Sequence, residues 1–486
     1  MFSGNQVITS WSSTIETLAK WIWDPVLCLV YLELGCIFLY LNRAIVWRKS
    51  LQVFLKIMGG DQATSTDRTV SHRKAFLATV AATVGIGNIA GVGTAIHVGG
   101  PGALFWMWMS ALLGMSFRMA STYMAIKLRP DDDRSKSFAT PMVYLDKYMT
   151  GGFSFIPSLV AGLILVQGLV LYNLVQANSL AQAVHNRFDF PNVATSILLT
   201  LCVGLVILGG LKKIVNYSSF FAPFMITIYV VAGLLILLSH PLQTIQNIGQ
   251  VFYYAFQPYS FAGGIVGYTV FQAMQFGVSR GVFSHMSGMG TSTFLQGANK
   301  DSPAMGAFMS ALTPFVDTVI ICSVTGLVIL STSFWQINTG AHLTAAAFEA
   351  GLGFAGQIVV IASLIVFAFT TIAAFAHISE RCIVYLGGTN DLYYRLVFLL
   401  VTFVGPFLDL RFVWSLSDII IAMIVVFHLV PLLYITLLNR KEMCRDFEFI
   451  AKEVGRPGPI DQRKKQRKKM SKYGGGETFR ARQMRD

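Results

Sequence analysis

Between Thr83 and Trp108 the chain carries seven glycines (Gly85, Gly87, Gly91, Gly93, Gly99, Gly100, Gly102), one amide (Asn88) and no Asp, Glu, Lys or Arg. So many helix-weakening residues in an apolar stretch predict a broken membrane helix. A break frees backbone N–H groups at one new end and carbonyls at the other. The N–H end carries partial positive charge and holds a carboxylate; the carbonyl end coordinates Na⁺. Residues 84–88 therefore read as a site for a small zwitterion with a sodium ion. Backbone at Gly85, Ile86 and Gly87 meets the solute, Asn88 offers a donor and an acceptor, and the Val84 carbonyl faces the ion. The competing reading is a packing seam of small residues.

Other polar groups could join this site. Asn173 and Gln176 are three residues apart in YNLVQANS and share a helix face; they face a solute cavity or mark a helix end. Thr370 and Thr371 offer hydroxyls to a cation or back-bond to their own helix, and Phe375 lies one turn later as a pocket wall. Ionisable residues inside apolar runs are functional candidates. Of these, Asp317 is mid-run and must face protein, water or an ion; Arg118 snorkels from a helix end, and Glu33 packs. A second glycine-broken stretch, GVSRGVFSHMSGMGTS (277–292), contains His285 and Met286, candidates for gating or coupling. Isolated histidines are more often structural than proton carriers. No HExxH or GxSxG pattern appears, and no cluster of nucleophile, base and metal ligands. The chemistry is that of a carrier and not of an enzyme, with Na⁺ as coupling ion and no cofactor.

The elements that position these residues are membrane helices. The 486 residues are 54% hydrophobic and 13% charged, with a mean hydropathy of +0.60; soluble domains run at about 25% charged. Apolar runs predict an all-α polytopic protein of roughly eleven spans. They lie near 25–46, 75–97, 103–126, 154–173, 192–211, 218–239, 262–280, 304–331, 354–378, 393–408 and 415–438. The polar N-terminus lacks a secretory signal, so the first span serves as an uncleaved anchor. Six cysteines scattered in or beside spans and in the tail suggest neither disulfides nor a metal site. Lys and Arg crowd the odd connectors, which places those inside. The predicted organisation is an extracytoplasmic N-terminus (1–24), a transporter domain (25–438) and a basic cytoplasmic tail (439–486), in the cell (cytoplasmic or inner) membrane. The run Arg463–Lys472 reads as a solvated topology signal or a dock for anionic lipid; no nucleic-acid partner is expected. The two breaks fall in spans 2 and 7. An interval of five gives two halves of opposite topology, spans 2–6 and 7–11, with the site between them.

The motifs GNIAGVGTAIHVGGPGALFWMWMSALLGM, NLVQANS, GGLKKI, GVSRGVFS, DTVIICSVTGLVIL, ERCIVYL and DLRFVWSLSD resemble those of the sodium:alanine (or glycine) symporter family, in order from about Lys74 to Leu438. The resemblance implies a leucine-transporter-like fold with five-plus-five inverted repeats and one extra N-terminal helix. It also implies Na⁺-coupled uptake of alanine or glycine. Departures from the family pattern cluster at the site. Ile86 stands where threonine is usual, His285–Met286 where Asn–Glu is usual, Ser121 where glutamate is usual, and Phe375 where tryptophan is usual. They imply a divergent carrier, of a larger or more apolar amino acid or with altered ion coupling. A transporter-like sensor signalling through the tail is the third reading.

Overall fold

The computed structural model describes residues 4–58, 72–129, 139–208, 210–260, 267–296, 302–388 and 392–455. Helix α1 (Gly4–Ile22) turns at Asp24 into α2 (Pro25–Leu41), and α3 (Ile45–Met58) follows. The first interrupted helix is α4 (His72–Thr83) with α5 (Ala90–Gly99); α6 (Gly102–Lys127) and the short α7 (Pro141–Tyr148) come next. Helix α8 (Ile156–Val166) passes through a π-helical segment, Gln167–Tyr172, into α9 (Asn173–Phe188). Then come α10 (Asn192–Ile207), α11 (Gly210–Ser239) and α12 (Pro241–Tyr254). The second interrupted helix is α13 (Val270–His285) with α14 (Thr293–Gln296). Helix α15 (Pro303–Ala311), a second π-helical segment (Phe315–Cys322) and α16 (Ser323–Leu330) form one column. Helices α17 (Gly340–Leu352), α18 (Phe354–Tyr385), α19 (Leu392–Val404) and α20 (Leu410–Gly455) complete the described chain. One two-stranded antiparallel ribbon, β1 (Tyr259–Ser260) with β2 (Gly267–Tyr268), departs from the all-α expectation.

Local chemistry sets several of these starts and stops. Asp24 accepts a hydrogen bond from the Leu27 N–H at 3.1 Å, and Pro25 occupies the first helical position, where a missing N–H costs nothing. Thr269 and Gln272 form a reciprocal capping box that opens α13. Gly100, at φ +72°, turns α5 into α6. Two glycines in the second glycine-rich stretch do other work. Helix α13 runs through Gly277 and Gly281 unbroken, and an added Cβ at either would collide with Ala103, Trp106 or Ser110 of α6. They permit close packing, and the break itself comes later, at 286–292.

Six described helical stretches are long and apolar enough to cross a membrane, and a bent pair, Ser13–Ile22 with Pro25–Leu41, makes seven. Asn192–Ile207 and Leu392–Phe407 are apolar but shorter. The remaining predicted spans fall on the interrupted helices. There α4, α5 and α13 have 12, 10 and 16 residues, below the roughly 20 that cross a bilayer. At the N-terminus, α1 is an element in its own right and packs along α20. At the other end α20 passes residue 438 without interruption and runs to Gly455, where the described residues end. The basic run from Arg463 to Lys472 lies outside the described residues.

The site sits where α5, α6 and α13 pack together and α18 and α9 close the other side.

Candidate substrate and ion site

Helix α4 stops at Thr83 because Gly85 is extended (φ −140°, ψ −158°), and one tight turn, Ile86–Asn88, precedes α5. Two of the N–H groups released there are taken by amides. Gly85 N–H donates to Asn88 Oδ1 at 2.9 Å, and Ile86 N–H donates to Gln176 Oε1 at 3.0 Å. An added Cβ at Gly85 would sit 2.8 Å from Thr371 Oγ1 and 2.9 Å from Gln176 Nε2. Only glycine leaves room where α9 and α18 converge on the break.

Asn88 also reaches across the molecule. Its Nδ2 lies 2.8 Å from Asp317 Oδ1, 3.0 Å from the Asp317 carbonyl and 3.3 Å from Cys322 Sγ. The other carboxylate oxygen, Oδ2, accepts from Ser284 Oγ and Thr318 Oγ1, each at 2.8 Å. Ser284 is on the last turn of α13, so one carboxylate joins both broken helices. Asn88, Asp317 and Cys322 have no exposed surface. Among the described residues no Lys, Arg or His lies within ion-pairing distance of Asp317. The nearby Arg118 is engaged elsewhere, donating to the His285 carbonyl at 2.7 Å and to Thr313 Oγ1. Buried and 2% exposed, Arg118 does not snorkel; two acceptors on neighbouring elements hold it inside.

A column of aromatic rings covers this centre. Tyr172 is stacked between Phe283 (4.6 Å, 8°) and Phe375 (4.4 Å, 14°), and its hydroxyl donates to the Phe283 carbonyl at 2.6 Å. Phe283 meets Trp414 at 4.5 Å. Arg280 lies over the Trp414 ring at 4.5 Å and pairs with Asp418 at 2.5 Å. Beyond these rings opens a cavity of about 460 Å³, lined in part by Lys20, His97, Gln182, Arg280, His342 and Trp414.

The second break is held by histidines. His285 Nδ1 accepts from Ser287 N–H at 3.1 Å, which leaves Nε2 to donate to Ser110 Oγ at 3.1 Å. His428 Nδ1 donates to the Gly288 carbonyl at 2.6 Å, and Tyr144 bonds its Nε2 at 2.5 Å. With Nδ1 accepting, the His285 ring is neutral in this arrangement. Met286 takes the left-handed conformation (φ +53°), an uncommon one for a non-glycine residue.

The structure brings together Val84, Gly85, Ile86, Asn88, Gln176, Thr371 and Asp317. Thr371 Oγ1 is 3.4 Å from the Val84 carbonyl, whereas Thr370 back-bonds to the Phe367 carbonyl at 3.2 Å. Gly87 faces Phe283 and Ser284 of α13. Asn173 points elsewhere: its Nδ2 donates to the Phe398 carbonyl at 3.1 Å and ties α9 to α19. Both residues lie in α9, where three positions turn the helix by about 300°, so Asn173 and Gln176 sit about 60° apart, enough for one to meet α19 and the other the break. Sequence reading passed over Tyr172, Ser284, Cys322, Arg280, Trp414 and Asp418. All six abut or lie within quoted motifs, but a ring stack and a long-range ion pair leave no local spacing to read.

A profile of the sodium:alanine symporter family matches residues 8–457. An uncharacterized transporter of Haemophilus influenzae is 36% identical over 423 residues, covering 84% of this chain and 90% of its own. The sodium/alanine symporter AgcS of Methanococcus maripaludis is 34% identical over 441 residues, covering 87% and 94%. A solved manganese transporter of Eremococcus coleocola superposes with a TM-score of 0.51 at 11% identity, over 84% of this chain and 88% of that one, which is a likeness of fold. With a family profile spanning nearly all of its described residues and a named symporter aligned along its length, this chain belongs to the sodium:alanine symporter family, whose members are transporters and not enzymes.

Proposed function

We propose that the chain is a secondary carrier for a small neutral amino acid of the alanine or glycine class, driven by Na⁺ and working by alternating access. The observation that carries this reading is Asp317. A buried carboxylate bonded to both broken helices but to no cation is expensive to maintain. An ammonium group or a Na⁺ arriving between the breaks relieves that cost and ties the two helices together. The solute's carboxylate meets the N-terminal end of α5 and the amides of Asn88 and Gln176. The Val84 carbonyl and Thr371, with Thr370 alongside, form the Na⁺ side of the site. Phe375 walls the pocket through Tyr172.

In this reading the chain has eleven spans, its N-terminus outside and its C-terminus in the cytoplasm. The two halves, each opening on an interrupted helix, are inverted repeats of the leucine-transporter type. The cavity beyond Arg280, Trp414 and Asp418 is then the outer approach, and the Tyr172–Phe283 stack is the lid. Solute and ion pass the lid, bind at the breaks, and leave after one bundle rocks against the other.

Ile86 supports a second version of the same function. It is fully buried beside Gln176 and adds a branched apolar side chain where relatives usually carry a hydroxyl. That favours a more apolar amino acid than alanine, or a different ion requirement.

Purified protein in liposomes tests both versions. Labelled alanine, glycine and larger neutral amino acids are offered under a Na⁺ gradient, a K⁺ gradient or a proton gradient. The expected result is uptake of one neutral amino acid that collapses without Na⁺. Uptake indifferent to Na⁺, or none with any amino acid, overturns the proposal.

A further inference from the structure

Helix α3 presents three faces. Val46, Ser50 and Val53 are buried against protein. Trp47, Leu51 and Leu55 are spaced four apart and form one outward ridge, 46%, 57% and 59% exposed. Arg48 and Gln52 are exposed beside the ridge, and Lys49 and Lys56 are half-buried on its far flank. An apolar ridge with a basic border is the pattern of a helix lying in the headgroup region of a bilayer. Tyr40, 72% exposed, continues the border, with the Arg440 guanidinium 5.2 Å from its ring centre. Aromatic rings gather at that depth.

Helix α3 is also fastened to the carrier, by side chains on more than its buried face. Trp47 Nε1 donates to the Leu112 carbonyl of α6 at 3.0 Å, and Phe54 meets Phe76 of α4 at 5.0 Å. Lys56 donates to the Glu453 carbonyl of α20 at 3.2 Å, and Arg43, just before α3, pairs with Glu448 at 2.5 Å. This last stretch of α20 grips two other helices. Tyr123 of α6 donates to Asp446 at 2.7 Å, Lys127 pairs with Glu442 at 2.5 Å, and Phe447 packs on Tyr123 and on Phe308 of α15. Helix α3 and the end of α20 thus strap the ends of α6 and α15, and α15 leads directly into the segment bearing Asp317.

We propose that α3 is a binding surface for anionic phospholipid. Trp47, Leu51 and Leu55 enter the border of the acyl chains, and Arg48 with its basic neighbours holds the headgroups. The charge of the leaflet thereby sets how firmly the strap is seated. Charge selects this occupant: the ridge satisfies any lipid, but its basic flank is complementary to an acidic surface. The inference rests on the reading above that this end of the molecule lies at the cytoplasmic leaflet.

The test uses the full chain with exposed Cys36 and Cys202 changed to Ser and a spin label at Leu51→Cys or Gln52→Cys. The protein sits in vesicles of phosphatidylcholine with or without phosphatidylglycerol. The expected result is a label at 51 that collides with oxygen several-fold more than with an aqueous nickel chelate, and the reverse at 52. The melting midpoint of the unlabelled chain rises with phosphatidylglycerol, and Arg48→Glu raises the amount needed at least about fivefold, from the attraction of one basic residue to an anionic surface. Equal chelate access at 51 and 52 overturns the proposal and leaves the ridge to a water-soluble partner. An unchanged lipid response in Arg48→Glu overturns it as well. Neither readout involves transport, so failure of the amino-acid reading registers separately, in the uptake assay.

Discussion

Asn88 and Asp317 stand 229 positions apart in the chain, yet one amide nitrogen of Asn88 touches both the carboxylate and the backbone carbonyl of Asp317, at 2.8 and 3.0 Å. Any movement of the first broken helix against the π-helical segment must break this double contact. With Ser284 on the same carboxylate, the relative position of both breaks is recorded at one side chain.

Asp317→Asn is the first substitution to make. It keeps the shape and removes the charge. Hydrogen bonds to a charged group contribute about 1.5–3 kcal/mol, so solute uptake should fall on the order of tenfold to a hundredfold. The protein should still elute as a single species, because the amide oxygen still accepts from Ser284 and Thr318 while Asn88 Nδ2, losing the side-chain acceptor, keeps the backbone carbonyl at 317. Uptake within a factor of about two of wild type would remove Asp317 from the site.

Gln176→Ala deletes the acceptor for Ile86 N–H and leaves a buried donor without a partner, a cost of about 1–3 kcal/mol. Gln176→Glu restores an acceptor at the same place. The pair should separate in solute affinity measured by equilibrium binding: alanine weak, glutamate partly recovered. Equal loss in both would mean that the side-chain NH₂ and not Oε1 is what matters.

Gly85→Ala places a methyl 2.8 Å from Thr371 Oγ1 and 2.9 Å from Gln176 Nε2. Neither neighbour can retreat without giving up a hydrogen bond. Both the Na⁺ concentration for half-maximal uptake and the solute KM should rise, with correct membrane insertion. A variant with unchanged Na⁺ dependence would separate Thr371 from the ion.

The broken helices were legible because a break needs glycine and glycine is visible. Asn88 and Gln176 could be read too, since buried amides are costly unless used. What stayed hidden was contact between distant segments. Asp317 was suspect as a charge in an apolar run, but nothing local says that it meets Asn88 and Ser284. Asn173 shares α9 with Gln176, but only the packing of α19 beside it shows that its amide meets the Phe398 carbonyl. His285 and Met286 drew notice as departures from the family pattern, and the structure gives His285 a capping role that a list of residues does not contain.

Ile86→Thr supplies the hydroxyl that the family resemblance implies at this position. If the buried isoleucine sets the solute range, the variant should gain for alanine or glycine and lose for larger apolar amino acids, by about 1–3 kcal/mol per methylene-sized change, or roughly tenfold to a hundredfold. Competition against labelled solute reads this directly. An unaltered competition series would assign the range to other residues.

Asp418→Asn tests the lid. Arg280 and Asp418 are both nearly buried, with side chains 7% and 9% exposed, and removing one partner of such a pair costs about 3–5 kcal/mol. The single variant should melt well below wild type. Arg280→Gln combined with Asp418→Asn should recover part of that loss, since no buried charge is left alone. A double variant no more stable than the single one would show that the charges do not act on each other.

The two π-helical segments, Gln167–Tyr172 and Phe315–Cys322, carry a consequence for how such a site tolerates insertion and deletion. A π turn accommodates an extra residue in an otherwise α-helical run. Deleting one residue from the first segment, Gln167–Tyr172, would let it close into an ordinary helix that keeps Gln176 on the side of Ile86, because the wider turn already absorbs the extra residue's rotation. A deletion between Asn173 and Gln176, inside α9, meets no such reserve and would rotate everything after it by about 100°, turning Gln176 away from Ile86. The slack of this column therefore lies in its π turn, one step before the helix that reaches the break.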